Sequence, residues 1–247
     1  MTDVREPKGL SGRKIIVTRS AERAGGLAEL LKVAGAEVIE IPVTTTVDAL
    51  DGGEGLRRAI DNLALYEWAV VTSPEGAHRL REGLSRVANR ERHFKIAAVG
   101  SATAAAVGGA DLIPHVQTGR SLGEIFPSGT GRVLLAVAES AGVDFENAAR
   151  SKGWTVDRVA TYRTVPIVPS TDRGTEIRGA NAVTFASASS VAAWIEAFGP
   201  IFPPVVVAMG PTTAAALDSF AVAGVVVAAE QTLHGLVAAT AAALASR

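Results

Sequence analysis

The sequence predicts an α/β protein built from two similar parallel-sheet halves, and three observations carry that prediction. Short β-branched or apolar runs alternate with stretches of helical apolar spacing along most of the chain. The order of motifs in the first half returns in the second. Composition agrees: 48% of residues are hydrophobic but only 5% aromatic, a mixture that suits buried parallel strands under close-packed helices. The 247 residues allow two domains of roughly 100–120 residues each.

Taken in order, Lys14–Thr18 is a strand, and Leu27, Leu30, Leu31 and Val33-Ala34 give a helix stopped by Gly35. Val38–Val43 is the next strand. Leu56 to Leu65 reads as helix, Trp68–Thr72 as strand, Ala77 to Val87 as helix and Lys95–Val99 as strand. Thr103 to Val107 opens another helix. The same succession restarts at Arg132-Val133-Leu134-Leu135-Ala136, and Gly153 repeats Gly35. Ala182–Ser187 then matches Trp68–Ser73, and Val207–Ala214 matches Ala97–Ala104. Ser121-Leu122 is matched by Thr232-Leu233. The unit is too long for a solenoid repeat. It implies two similar halves and a cleft between them.

Strand–helix–strand alternation implies right-handed crossovers and parallel pairing. Two proline-bearing, β-prone segments, 41–46 and 160–166, break the rhythm at matching places and suit a two-stranded hinge. The pattern alone leaves open whether the halves fold separately or exchange strands.

Composition also excludes. A net charge of −1 gives no basic field for nucleic acid, so no nucleic-acid partner is expected. With no cysteine there is no disulfide, thiol chemistry or Cys-zinc site. His78, His93, His115 and His234 lack ligand spacing, so no metal is expected. Met1 to Gly9 is polar and charged, unlike a signal peptide. The apolar window Pro204–Ala229 is broken by Pro211, Asp218 and glycines, which rules out a membrane span. The expectation is a soluble, cytoplasmic protein without a membrane partner.

Three signals recur in both halves: a serine after a buried strand (Ser73, Ser187), a glycine before a helix (Gly100, Gly210), and a threonine three residues on (Thr103, Thr213). Glycine at such a turn lets a ligand approach backbone, and helix N–H groups favour an anion. The plainer alternative makes the hydroxyls N-caps and the glycines tight turns. Gly100-Ser101-Ala102-Thr103 is neither a P-loop nor a dinucleotide fingerprint. Arg19 ends a strand, where an ion pair and a ligand contact are both open. Glu22-Arg23, Arg57-Arg58 and Arg90-Glu91-Arg92 read as solvated faces or loops. Tyr162, one of two tyrosines, sits in the second hinge segment, either as a packing aromatic or as a proton donor with a pKa of about 10.

Val17-Thr18-Arg19, Trp68-Ala69-Val70-Val71-Thr72-Ser73-Pro74, Ala98-Val99-Gly100-Ser101-Ala102-Thr103-Ala104, Tyr162-Arg163-Thr164, Phe185-Ala186-Ser187 and Met209-Gly210-Pro211-Thr212-Thr213-Ala214 resemble, in matching order, the uroporphyrinogen-III synthase family. The resemblance runs from residue 13 to about 240. It implies two flavodoxin-like α/β domains, one discontinuous (1–41 with 167–247) and one continuous (47–159), joined by linker strands 42–46 and 160–166. It also implies a monomer that uses no cofactor and closes hydroxymethylbilane to uroporphyrinogen III with loss of water and inversion of the last ring. Tyr162 would hydrogen-bond or protonate the departing hydroxyl. Thr18, Arg19, Ser73, Gly100, Thr103, Ser187, Gly210, Thr212 and Thr213 would bind substrate. A polycarboxylate can be held by backbone N–H groups and scattered arginines without a basic surface. The main catalytic demand is a ring pose that favours attack at the substituted carbon. The chain departs from the family at Ser20 (often proline), Glu75 (often asparagine) and Ala186 (often threonine). A non-catalytic tetrapyrrole or anion sensor of the same fold would keep the glycine turns and could dispense with Tyr162. A two-lobed sugar or amino-acid binding protein would carry an export signal.

Overall fold

The computed structural model describes residues 9–19, 21–86, 93–167 and 173–246. Ser20 and Arg90-Glu91-Arg92, singled out above, lie outside the described residues, as do the side chains of Glu22 and Arg23. The chain divides into two compact units, Met1–Thr45 with Val165–Arg247, and Thr46–Thr164. It passes from one to the other twice.

The discontinuous unit carries strands β1 (Lys14–Val17), β2 (Glu37–Glu40), β8 (Ala182–Phe185), β9 (Val205–Ala208) and β10 (Val226–Val227) in the order β10-β9-β8-β1-β2. All its pairings are parallel, with Ile16 opposite Val183 and Val183 opposite Val206. Because the strands are covered on both sides, they read as unbroken apolar runs. Ile15 and Val17 pack against Leu27 and Leu31 of α1 (Ala21–Val33) and Leu236 of α10 (Leu233–Ala245). Ile16, Val183 and Phe185 point the other way, to Trp194 of α8 (Ala188–Phe198), Leu217 of α9 (Pro211–Ser219) and Ile177 of α7 (Gly174–Gly179).

The continuous unit holds β3 (Thr44–Asp48), β4 (Trp68–Val71), β5 (Lys95–Ala98), β6 (Arg132–Ala138) and β7 (Thr155–Pro166) in the order β3-β7-β6-β4-β5. Pairings β4–β5, β4–β6 and β6–β7 are parallel. Helices α2 (Glu54–Asp61), α3 (Pro74–Ser85) and α4 (Ser101–Val107) bury Leu56, Ile60, Leu80 and Val107 on one face against Val71 and Leu134. On the other face α5 (Gly119–Ile125) and α6 (Asp144–Ser151) enclose an aromatic cluster. Phe126 lies 5.0 Å from Trp68 and from Phe145, and 5.8 Å from Trp154.

The two sheets answer the question the repeat leaves open. β1 and β2, from the first repeat, share a sheet with β8, β9 and β10 of the second through the β1–β8 pairing. Conversely β6 and β7 of the second repeat share a sheet with β4 and β5 of the first through the β4–β6 pairing, and a bridge from Ala97 to Leu112 stands where β10 stands in the other sheet. Each unit therefore combines the front of one repeat with the back of the other.

Local differences from the sequence reading have simple causes. Helix α2 stops at Asp61 because Asn62 leaves helical geometry (φ −110°) and its side chain donates to the Arg58 carbonyl at 2.8 Å. A short 3-10 turn, Leu63–Leu65, completes the stretch expected as one helix. The segments 42–46 and 160–166, expected as linkers, include parts of β3 and β7, and β7 runs for 12 residues.

Candidate active site

In a parallel sheet every strand ends at the same edge, and ligands of open α/β sheets gather there. The repeated hydroxyls and glycines stand at that edge. After β4 the chain turns at Ser73, whose extended backbone (φ −153°, ψ 152°) makes it the N-cap of α3. Its Oγ accepts the Gly76 N–H at 3.1 Å, and Pro74 supplies a first helical residue that needs no donor.

Tyr162 reaches the same serine. Strands β6 and β7 run in register as far as Val137 opposite Ala160, but Ala138 then faces Tyr162, so Thr161 is an extra residue. The bulge is pinned by Thr161 Oγ1, which donates to the Val137 carbonyl at 3.1 Å. Bulges re-aim side chains. Here the tyrosine hydroxyl donates to Ser73 Oγ at 3.1 Å, with the residue only 6% exposed. Ser73 Oγ thus accepts twice, which uses both lone pairs and leaves its own O–H to donate.

Arg79, farther along α3, holds this arrangement from the side. Its Nε donates to Glu75 Oε1 at 2.8 Å, and its Nη1 donates to Asp48 Oδ1 on β3 and to the Thr161 carbonyl at 3.3 Å. Its Cζ stands 6.0 Å from the Tyr162 ring centre, within cation–π range. Burial pulls the Arg79 pKa down, but Glu75 and Asp48 more than reverse this, so the group is raised above its ordinary value. The Glu75 departure from the family pattern is therefore matched by a salt bridge within its own helix.

Gly100 and Gly210 are the N-caps of α4 and α9, with nearly fully extended backbones (φ −168° and −167°) that any residue adopts. Their requirement is space. A Cβ on Gly210 would come within 3.0 Å of Gln231, and one on Gly100 would collide with the Gln117 carboxamide. A glutamine side chain therefore lies close over each glycine. Gln117 and Gln231 immediately precede Thr118 and Thr232, whose side chains cap α5 and α10. Their matched placement was the signal that could have found them.

Thr103 and Thr213 are buried, 3% and 4% exposed, beneath these turns. Thr212 is exposed on the first turn of α9. Ser187 caps α8, accepting the Ser190 N–H at 3.3 Å, and its Oγ also lies 3.0 Å from Ser189 Oγ. Arg19 follows β1 half-buried. Thr18 is fully buried and donates to the Thr184 carbonyl at 2.9 Å, while Thr184 donates to the Ile16 carbonyl at 3.1 Å. That threonine pair ties β1 to β8, so the Thr18 hydroxyl is committed inside the sheet. The structure brings Tyr162 and Ser73 into direct contact; Ser187, the counterpart of Ser73, bonds to serines instead.

A recess of about 610 Å³ lies elsewhere in the continuous unit, lined by Asp51, Arg58, Tyr66, Arg132 and Asp157. Its charges largely answer one another. Tyr66 Oη donates to Asp157 Oδ2 at 2.9 Å, and Arg132 Nη2 donates to the same oxygen at 2.7 Å. Burial, with the Asp157 contact second, pushes the Tyr66 pKa up to about 12. No three His, Cys, Asp or Glu side chains converge as metal ligands among the described residues, and no helix there is long and apolar enough to cross a membrane.

Comparison with known proteins agrees with the motif order. A family model described as uroporphyrinogen-III synthase HemD matches residues 25–238. A porphyrin biosynthesis protein HemD from Ruminiclostridium josui is 32% identical over 228 residues, covering 86% of this chain and 45% of that protein. A uroporphyrinogen-III synthase from Synechococcus elongatus is 32% identical over 165 residues, covering 62% of this chain and 61% of that one. The chain thus spans about half to three fifths of the length of these two curated relatives. Among solved structures, a uroporphyrinogen-III synthetase of Helicobacter pylori superposes with a TM-score of 0.63 at 14% identity, over 95% of this chain and all of that one. A mutant uroporphyrinogen III synthase of Thermus thermophilus gives 0.62 at 19% identity, over 96% of this chain and all of that one. At those identities the superpositions speak for the α/β fold, and the sequence matches speak for descent: the chain belongs to the uroporphyrinogen-III synthase family.

Proposed function

We propose that this chain closes hydroxymethylbilane to uroporphyrinogen III, a lyase step of porphyrin biosynthesis. The observation that carries the proposal is the Tyr162–Ser73 hydroxyl pair at the carboxyl edge of a parallel sheet, in a chain of this family. The linear tetrapyrrole loses its terminal hydroxyl, which takes up a proton and departs as water. The substituted carbon of the last ring then bonds to the methylene left behind, its bond to the neighbouring bridge methylene breaks, and that bridge methylene bonds to the ring's unsubstituted α-carbon, which releases its proton. Electrons are neither added nor removed, so the step calls for no redox cofactor.

Tyr162 is the group that hydrogen-bonds or protonates the departing hydroxyl, its O–H turning to the substrate from Ser73 Oγ, to which it donates in this structure. Protonation in place contributes about 10²- to 10⁴-fold at most. The larger task is conformational, holding the last ring so that its substituted carbon attacks. In this reading Gly100 and Thr103 of the continuous unit, and Arg19, Ser187, Gly210, Thr212 and Thr213 of the discontinuous one, receive the substrate's carboxylates. Thr18 supports that edge through its bond to Thr184.

The same reading takes each unit as a flavodoxin-like domain, with 1–41 and 167–247 as one, 47–159 as the other, and 42–46 and 160–166 as linker strands. It takes the protein to act as a monomer in the cytoplasm, on a small-molecule substrate. The test is to incubate the purified chain with enzymatically generated hydroxymethylbilane and separate the isomers of the product. Formation of isomer III above the uncatalysed background is expected; isomer I alone would end the proposal.

A further inference from the structure

We propose that Arg163 anchors a carboxylate of the substrate, beside the tyrosine already assigned to the chemistry. The inference rests on the reading of the site given above. Arg163 follows Tyr162 on β7, beyond the last paired residue of β6, where Glu139 N–H already turns to the Tyr162 carbonyl at 2.9 Å. It therefore stands at the same edge of this sheet as Ser73, Gly100 and Thr103.

Among the described residues two guanidinium Nε atoms are buried without an acceptor, those of Arg163 and Arg173. Arg173 is still held through Nη1, which donates to Glu176 Oε2 at 2.6 Å. The Arg163 side chain takes part in no hydrogen bond or ion pair among the described residues. Its neighbours on the same unit contrast with it. Arg158 donates to the Ala141 and Gly142 carbonyls and to Glu146, and Arg79 has two carboxylates and a carbonyl. This unit satisfies its other half-buried arginines, so an unpaired one beside Tyr162 calls for a cause.

A buried ionised donor without an acceptor is unfavourable, and folded proteins keep such groups where something else supplies the partner. The chemistry of the open group identifies that partner. Nε–H and one Nη–H form the edge of the guanidinium that takes a carboxylate through two parallel hydrogen bonds. With that edge unused, the arginine gains most from a ligand carboxylate, and the gain exists only when ligand is bound. That is the differential a binding residue needs. The plain alternative is that the stem of Arg163 merely covers apolar surface while its head stays in water.

Steady-state kinetics of Arg163→Met and Arg163→Lys, alongside fluorescence titration of a porphyrin polycarboxylate, separate the two. Methionine keeps the stem and removes the charge. We expect about a tenfold rise in KM and in porphyrin Kd, with kcat within about twofold and isomer III still the product. The Met variant should unfold at the same temperature as the parent or higher, because an unsatisfied donor is gone. Lysine should recover part of the affinity through charge but not the two-bond geometry. Parental KM and Kd in Arg163→Met would overturn the anchor, as would a melting temperature lowered by several degrees, which marks a packing role. If the parent makes no isomer III yet binds porphyrin in an Arg163-dependent way, the reaction assigned above fails while the anchor stands.

Discussion

Tyr162 shows how one side chain can serve two purposes with one atom. Its hydroxyl belongs to a helix cap, through Ser73, and to the proposed chemistry. Tyr162→Phe should therefore lower turnover by about 10- to 10³-fold, and it should also cost about 1 kcal/mol of stability, as expected for one intramolecular hydrogen bond. Single-turnover kinetics and a urea unfolding curve read the two effects separately. Full turnover in the Phe variant would demote the tyrosine to packing. The other tyrosine yields a pH prediction. With its folded pKa raised to about 12 above the ordinary tyrosine value of 10.0, Tyr66 keeps its proton in the native chain at pH values where the unfolded chain has lost it. The native state then binds more protons, so the Tyr66 contribution is complete below about pH 10 and fades as pH rises toward 12. Ultraviolet difference titration should place tyrosinate formation by Tyr66 late, and Tyr66→Phe should flatten the alkaline loss of stability. A Tyr66 titration at the ordinary tyrosine pKa would contradict the contact with Asp157.

Elements differ in how openly they announce themselves. The strands are legible because short apolar runs bounded by polar residues leave few alternatives, and Gly35 and Gly153 are legible as helix stops because both adopt positive φ, 93° and 94°. At Gly153 the close approach is severe: an added Cβ would lie 2.7 Å from the Gly129 carbonyl oxygen, whereas Gly52 (φ 62°) has open space. Gly153→Ala should lower stability by more than about 1–2 kcal/mol, the usual left-handed penalty, and by more than Gly52→Ala does, as compared by denaturant midpoints. Equal losses would mean that the Gly129 turn yields freely. Serines 73 and 187 were also legible, because a hydroxyl before a helix is a local signal. The bulge at Thr161 was not, since one extra residue in a strand leaves composition and alternation almost unchanged. Nor was the Arg79–Asp48 pair, which joins positions that only the sheet order brings together. The glycines before α4 and α9 were legible, but their glutamine neighbours were not, since Gln117 and Gln231 lie on loops far along the chain from them.

At the scale of the whole chain, the repeat in the sequence and the units in space do not coincide. A polypeptide cut at the repeat boundary, residues 1–125, would hold β1 and β2 without β8 beside them, and β4 and β5 without β6 and β7. It should fail to fold cooperatively, whereas residues 46–164 carry one sheet, short only of the outer ends of β3 and β7, with its helices, and should unfold in a single transition when expressed alone. Circular dichroism during urea titration tests both fragments, and a cooperative 1–125 would contradict the exchange. The exchange also orders events during synthesis. β1 and β2 leave the ribosome before the continuous unit, yet β8 and β9, the strands that complete their sheet, follow it. In between, a contiguous stretch able to form its own core is translated from end to end. The continuous unit should thus be native while β1 and β2 still wait for β8, their apolar residues uncovered, the interval in which a nascent chain of this design most needs a chaperone.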